Sequence, residues 1–148
     1  DRYKLAIVVT LPGQFLVIHG TATVDGSGSG ADSGTGRVIA VVQPHRFTRL
    51  RDHMEDFQAA FNDADVVYAA PVYPAGEAPI AGADSKSLAR AIRARGRNEP
   101  VVVSQVSELA AMLPDVLQDG DLLLLMGAGD IGHVAQHIAS HGFTGSKQ

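Results

Sequence analysis

Three short stretches of this chain carry side chains that could do chemistry. The first is Gln43-Pro44-His45-Arg46-Phe47-Thr48-Arg49. Proline withholds a ladder donor and so ends a strand, and arginines three apart at the start of a helix can face one side. Two guanidinium forks there suit a carboxylate or a phosphate, and the helix N-terminus adds partial positive charge. The plain alternative is a pair of solvated surface arginines. The second stretch is Val72-Tyr73-Pro74-Ala75-Gly76-Glu77-Ala78-Pro79-Ile80. Long loops in compact domains are often functional, and rigid prolines suggest a held shape. Tyr73 and Glu77 are its weaker candidates, and an ordinary connection with a half-buried tyrosine explains it equally well.

The third stretch, Gly127-Ala128-Gly129-Asp130-Ile131-Gly132, matches the dinucleotide pattern G-x-G-x-x-G letter for letter. That reading also asks for a following strand with an acidic residue about 20 positions on, and the sequence runs only to Gln148. The expectation is instead a turn whose glycines let the backbone approach a ligand, with helix-start amides open to an anion. A turn that needs φ > 0 and nothing else is the simpler alternative. His133, His137 and His141 are spaced four apart, but no carboxylate joins them in a metal-ligand pattern, so a solvated face is favoured. Arg90, Arg93, Arg95 and Arg97 form a basic patch without interleaved aromatics, which argues against nucleic acid. There is no G-x-x-x-x-G-K-[ST] and no Ser/His/Asp set with positional support.

These stretches must be held by regular elements, and the sequence supplies them. Val38–Val42, Asp65–Ala70, Val101–Val103 and Leu122–Met126 read as strands, the first a β-branched run typical of burial on both faces. Leu50, Met54, Phe57 and Phe61 mark one amphipathic helix. Ser85 to Arg95 marks another, closed by Gly96. Val106, Leu109, Leu113 and Leu117 mark a third with Ser104 as N-cap, and Ile131–Ala139 a fourth. Strands alternating with helices predict a three-layer α/β domain with a mostly parallel sheet, whose ligand loops gather at the strands' C-terminal ends. Near the N-terminus, Tyr3–Thr10 and Phe15–Ile18 flank Leu11-Pro12-Gly13-Gln14, a β-hairpin pattern expected to add to a sheet edge. Residues 1–24 thus read as a hairpin-like segment, 25–35 as a Gly/Ser-rich linker, and 36–148 as the α/β domain.

Composition narrows the function classes. The 148 residues suit one domain with a sizeable core. A net charge of −4 predicts no bulk attraction to nucleic acid or anionic membrane. The absence of cysteine excludes disulfides and thiol chemistry. Apolar runs such as Leu122–Met126 are too short to span a bilayer, and no signal peptide is expected.

Several of these stretches, taken in order, resemble a known family. Gly36 through Arg49, then Asp65-Val66-Val67 leading into Val72–Ile80, Gly82-Ala83-Asp84-Ser85, and Met126 through Gly132 are similar to the third domain of UDP-N-acetylmuramate–L-alanine ligases, over residues 36–140. The resemblance implies a Rossmann-like, cytoplasmic, C-terminal domain of a peptidoglycan-precursor ligase. In that family ATP phosphorylates the muramic acid carboxylate, and the amine of L-alanine attacks the acyl phosphate with support from Mg²⁺. UDP-N-acetylmuramate, L-alanine and ATP are the implied ligands, and the ligase's N-terminal and central domains the implied partners. By resemblance His45, Arg46 and Arg49 are substrate-binding residues, and Gly127, Gly129 and Asp130 line the same cleft. The chain alone is expected neither to hold ATP or Mg²⁺ as a cofactor nor to catalyse ligation. Ahead of Val38 the family carries a different motif and a helix, so residues 1–34 read as foreign or rearranged, and an uncovered edge could promote a homodimer. A ligand-free engineered α/β scaffold and a small nucleotide-binding protein are the competing readings.

Overall fold

The computed structural model describes residues 4–8, 37–62, 64–96, 98–118, 121–127 and 129–141. Five strands form one sheet: β1 (Lys4–Val8), β2 (Val38–Gln43), β3 (Val66–Ala69), β4 (Val101–Val102) and β5 (Leu122–Gly127). Their order is β1-β5-β2-β3-β4, and every pairing is parallel. β2 and β5 lie at the centre in register Val38↔Leu122 to Gln43↔Gly127, and each of their residues is buried. This is why they read as continuous apolar runs rather than alternating ones.

Side-chain alternation splits the core in two. Val38, Ala40, Val42, Leu122, Leu124 and Met126 face one layer, where they meet Phe47, Leu50, Phe61, Leu88 and Ile92. Ile39, Val41, Leu123 and Leu125 face the other, against Val106, Leu109, Leu113, Ile131 and Ala135. The helices of the first layer are α1 (Phe47–Asp52), α2 (Met54–Ala59) and α3 (Ser85–Ala94); those of the second are α4 (Leu109–Val116) and α5 (Ile131–His141). The expected three-layer domain is present.

Two local expectations are corrected and a third is met as far as the described residues reach. The helix read across Leu50, Met54, Phe57 and Phe61 is two helices, because His53 leaves helical geometry at φ −124°, ψ 26°. No proline or glycine forces the break; the bend lets Leu50 and Phe61 both reach the core while Met54 and Phe57 are only partly buried. Gln105, not Ser104, caps the next helical stretch, exchanging reciprocal bonds with Glu108 across a 3₁₀ turn, Val106–Glu108. The first N-terminal run enters the sheet edge as β1, parallel to β5 from Lys4↔Leu122 to Val8↔Met126. The Pro-Gly turn and the second run lie outside the described residues. Gly96 closes α3 at φ 81° as expected.

At the N-terminal ends of β2 and β5, Arg37 clasps Asp121. Nε and Nη2 donate to the two carboxylate oxygens at 3.1 and 2.7 Å, Nη2 also reaches the Val116 carbonyl at 2.9 Å, and Gln118 N–H adds a bond of 2.8 Å to Asp121. No helix among the described residues is long and apolar enough to cross a membrane.

Candidate functional site

The loops after β2, β3 and β5 meet at the C-terminal edge of the sheet, and backbone pairing joins the first two. Tyr73 N–H donates to the Pro44 carbonyl at 2.8 Å, and Arg46 N–H donates to the Tyr73 carbonyl at 2.7 Å. His45 and Tyr73 thereby pair as in a parallel ladder, and their rings stack with centroids 5.5 Å apart and planes 13° apart. This bridge holds Arg46 at φ 73°, a region that costs a non-glycine residue on the order of 1–3 kcal/mol and is kept only when the surroundings impose it. The Arg46 side chain is exposed, while His45 and Arg49 are half-buried. The Arg49 guanidinium sits 6.0 Å from the centre of the Phe57 ring, within cation–π range.

The third loop is fitted against the other two. Gly127 has φ 155°, and a Cβ there would lie 2.7 Å from Ile131 Cγ2 and 2.8 Å from the Gln43 carbonyl oxygen. A Cβ on Gly129 would lie 2.4 Å from Tyr73 Cγ, so the tyrosine ring rests directly on the glycine backbone. The Gln43 carboxamide is buried and spans the loops, donating from Nε2 to the Pro71 carbonyl at 3.2 Å and accepting at Oε1 from Ile131 N–H at 2.9 Å. We expect Gly129→Ala to push Tyr73 off His45 while the sheet stays folded. Loss of the mutual ring-current shifts of these two side chains, read by NMR, is the check.

Arginine and carboxylate charges meet at this edge. Burial, then the charges of Arg46 and Arg49, hold the His45 pKa below its ordinary value, with Glu77 opposing. The imidazole is therefore neutral near pH 7 and can accept as well as donate. Glu77 accepts from Thr48 Oγ1 at 2.5 Å and from Thr48 N–H at 3.1 Å; these bonds, with the field of Arg46, hold its carboxyl below the usual range. The Glu77 carboxylate thus takes up an N-terminal N–H of α1.

The sequence pattern of the family described as "Mur ligase, glutamate ligase domain" matches residues 22–129. The chain belongs to this family. Among its relatives, UDP-N-acetylmuramate–L-alanine ligase of Xanthomonas euvesicatoria is 63% identical over 111 residues, covering 75% of this chain and 23% of that protein. The ligase of the same name from Stenotrophomonas maltophilia is 63% identical over 109 residues, covering 74% and 23%. The chain therefore spans about a quarter of the length of these relatives and corresponds to their C-terminal domain. A crystal structure of UDP-N-acetylmuramate-alanine ligase from Thermotoga maritima superposes with a TM-score of 0.54 at 21% identity, covering 77% of this chain and 21% of that one; it shows the fold alone.

In this Mur ligase domain the residues singled out by sequence come to one edge, but two roles differ from expectation. Three helix-start amides of the glycine turn already have partners within the protein: Ile131 N–H donates to Gln43, Gly132 N–H to the Gly129 carbonyl and His133 N–H to the Asp130 carbonyl. The start of α1 is likewise served by Glu77. Close approach at Gly127 and Gly129 is approach of protein to protein. What faces outward is Arg46 and Asp130, with His45 and Arg49 half-buried beside them. Gln43 and Thr48 were missed as organising residues, since a lone glutamine at the end of an apolar run carries no periodic signal. His133 and His137 are exposed on α5, and among the described residues no three His, Asp or Glu side chains could hold a metal ion.

Proposed function

We propose that this chain is the C-terminal, substrate-positioning domain of a cytoplasmic ATP-dependent ligase that joins L-alanine to UDP-N-acetylmuramate, and that His45, Arg46, Arg49 and Asp130 form its contact surface. The observation that carries this reading is the His45–Tyr73 bridge. It holds Arg46 in a strained, outward-facing conformation at the ligand edge of the sheet, in a chain 63% identical to ligases of that activity. Gly127 and Gly129 shape the wall of the cleft, Tyr73 supports it, and Glu77 fixes the loop to α1.

The division of labour follows from the residues. Arg46 and Arg49 supply charge-assisted donors to carboxylate or phosphate oxygens, and neutral His45 can donate or accept beside them. In the complete enzyme ATP would supply the phosphoryl group that activates the carboxylate. This sequence has no phosphate-binding G-x-x-x-x-G-K-[ST] motif and no metal-ligand cluster among its described residues. ATP and Mg²⁺ would therefore be held chiefly by the ligase's other domains, its natural partners, and this domain would bind and orient rather than catalyse.

An amide NMR titration with UDP-N-acetylmuramoyl-L-alanine, and separately with Mg-ATP, tests the proposal. The expected result is movement of the resonances of His45–Arg49 and of Gly129–Asp130. Replacing Arg46 and Arg49 together by alanine should weaken the response at least about tenfold, the scale of one lost charge-assisted bond. Dispersed peaks that ignore both ligands would establish a scaffold without function. Light scattering on the same sample reads the oligomeric state and tests the homodimer expected from an open sheet edge.

A further inference from the structure

Gln43 closes an otherwise apolar strand, yet only 3% of its surface is exposed, and a buried carboxamide is costly unless both ends are bonded. Both are. Pro71 has no N–H and can offer only its carbonyl, while Ile131 N–H can only donate, so the amide's orientation is dictated by its partners. Pro71 opens the loop that carries Tyr73, Ile131 closes the loop that carries Gly129 and Asp130, and Gln43 itself leads into His45 and Arg46. We infer that Gln43 is the positioning residue of this site, setting the arginine loop against the tyrosine and glycine loops through one buried carboxamide. The inference rests on the functional reading above for its ligand, but not for its geometry.

The experiment compares the full chain with Gln43→Met and Gln43→Glu by amide NMR, with and without UDP-N-acetylmuramoyl-L-alanine. Without ligand, Gln43→Met should move the resonances of Arg46, Tyr73 and Gly132 together. Shifts confined to residues 42–44, Pro71's neighbours and Ile131 would overturn the inference. With ligand, Gln43→Met should weaken binding about tenfold, the scale of one lost buried hydrogen bond pair.

Gln43→Glu discriminates positioning from bulk stability. A protonated carboxyl donates to the Pro71 carbonyl and accepts from Ile131 N–H, as the amide does, whereas an ionised one sets two acceptors face to face. Burial raises such a carboxyl, so this variant should bind like the unsubstituted chain at about pH 5 and like Gln43→Met at about pH 8. His45, Arg46, Glu77 and Asp130 share these loops and carry or can take up charge, so each variant is read against the unsubstituted chain at the same pH. Equal behaviour of Gln43→Glu at both pH values sinks the inference, and this variant decides the matter even if Gln43→Met does not fold. If the unsubstituted chain ignores the ligand, the functional reading fails, and the ligand-free arm alone judges the positioning role.

Discussion

Gly127→Ala is expected to destabilise the domain by about 3 kcal/mol, the sum of a strained backbone and an overpacked contact. The position sits at φ 155°, which alanine adopts poorly, and the new methyl would meet Ile131 Cγ2 at 2.7 Å and the Gln43 carbonyl at 2.8 Å. The first obstacle is a side-chain end that could shift, but the second is backbone of the central strand β2 and cannot. Relief requires β5 to part from β2 at the Gln43↔Gly127 pair, which would also open the Gln43–Ile131 bond. Urea unfolding at neutral pH is the check. A midpoint within error of the unsubstituted chain would mean that the turn has freedom the packing does not suggest. Gly76→Ala, at φ 89° with nothing within 4 Å of the added carbon, is the control, since it suffers strain alone and should cost less.

Arg37→Met should cost about as much, roughly 3 kcal/mol, by leaving a buried carboxylate without its partner. The Asp121 side chain is 2% exposed, and Arg37 meets both of its oxygens. Burial pushes the Asp121 carboxyl up, but the Arg37 fork and the Gln118 N–H outweigh it and hold its pKa below the ordinary aspartate value. The sign of the pH dependence follows. A carboxyl lower in the folded than in the unfolded state stabilises fully above the unfolded value, about pH 4. That contribution is lost as pH falls through the folded value. Without the Arg37 guanidinium, burial is opposed only by the backbone N–H groups of Gln118 and residue 37, so the folded-state pKa rises and the variant should lose less stability than the unsubstituted chain as pH falls. Thermal melts should show a loss of about 10 °C at pH 7 for a domain of this size, narrowing toward pH 3. An equal gap at both pH values would remove Asp121 from the explanation.

These two positions show different degrees of legibility. The strands β2 and β5 could be read directly, because residues buried on both faces of a parallel sheet leave an unbroken β-branched or leucine run. The stripes Leu88–Ile92 and Val106–Leu109–Leu113 were equally plain, since one helical face must meet the sheet. Arg37 and Asp121 were not legible as a pair. They stand 84 residues apart, and only the parallel pairing of β2 with β5 makes them neighbours.

The sequence by itself determined the layered α/β architecture, the edge at which the three loops gather, and the family, because periodicity and ordered motifs are local properties of the chain. Tertiary structure decided what each loop residue does there. It seated Tyr73 and Gln43 against the glycines, made Glu77 the cap of α1, broke one predicted helix at His53, and set β1 parallel beside β5. In each case a backbone N–H or a buried contact surface found its partner on a distant segment. Satisfying buried polar groups and filling a close-packed interior are constraints on the whole fold, and no window of the sequence contains them.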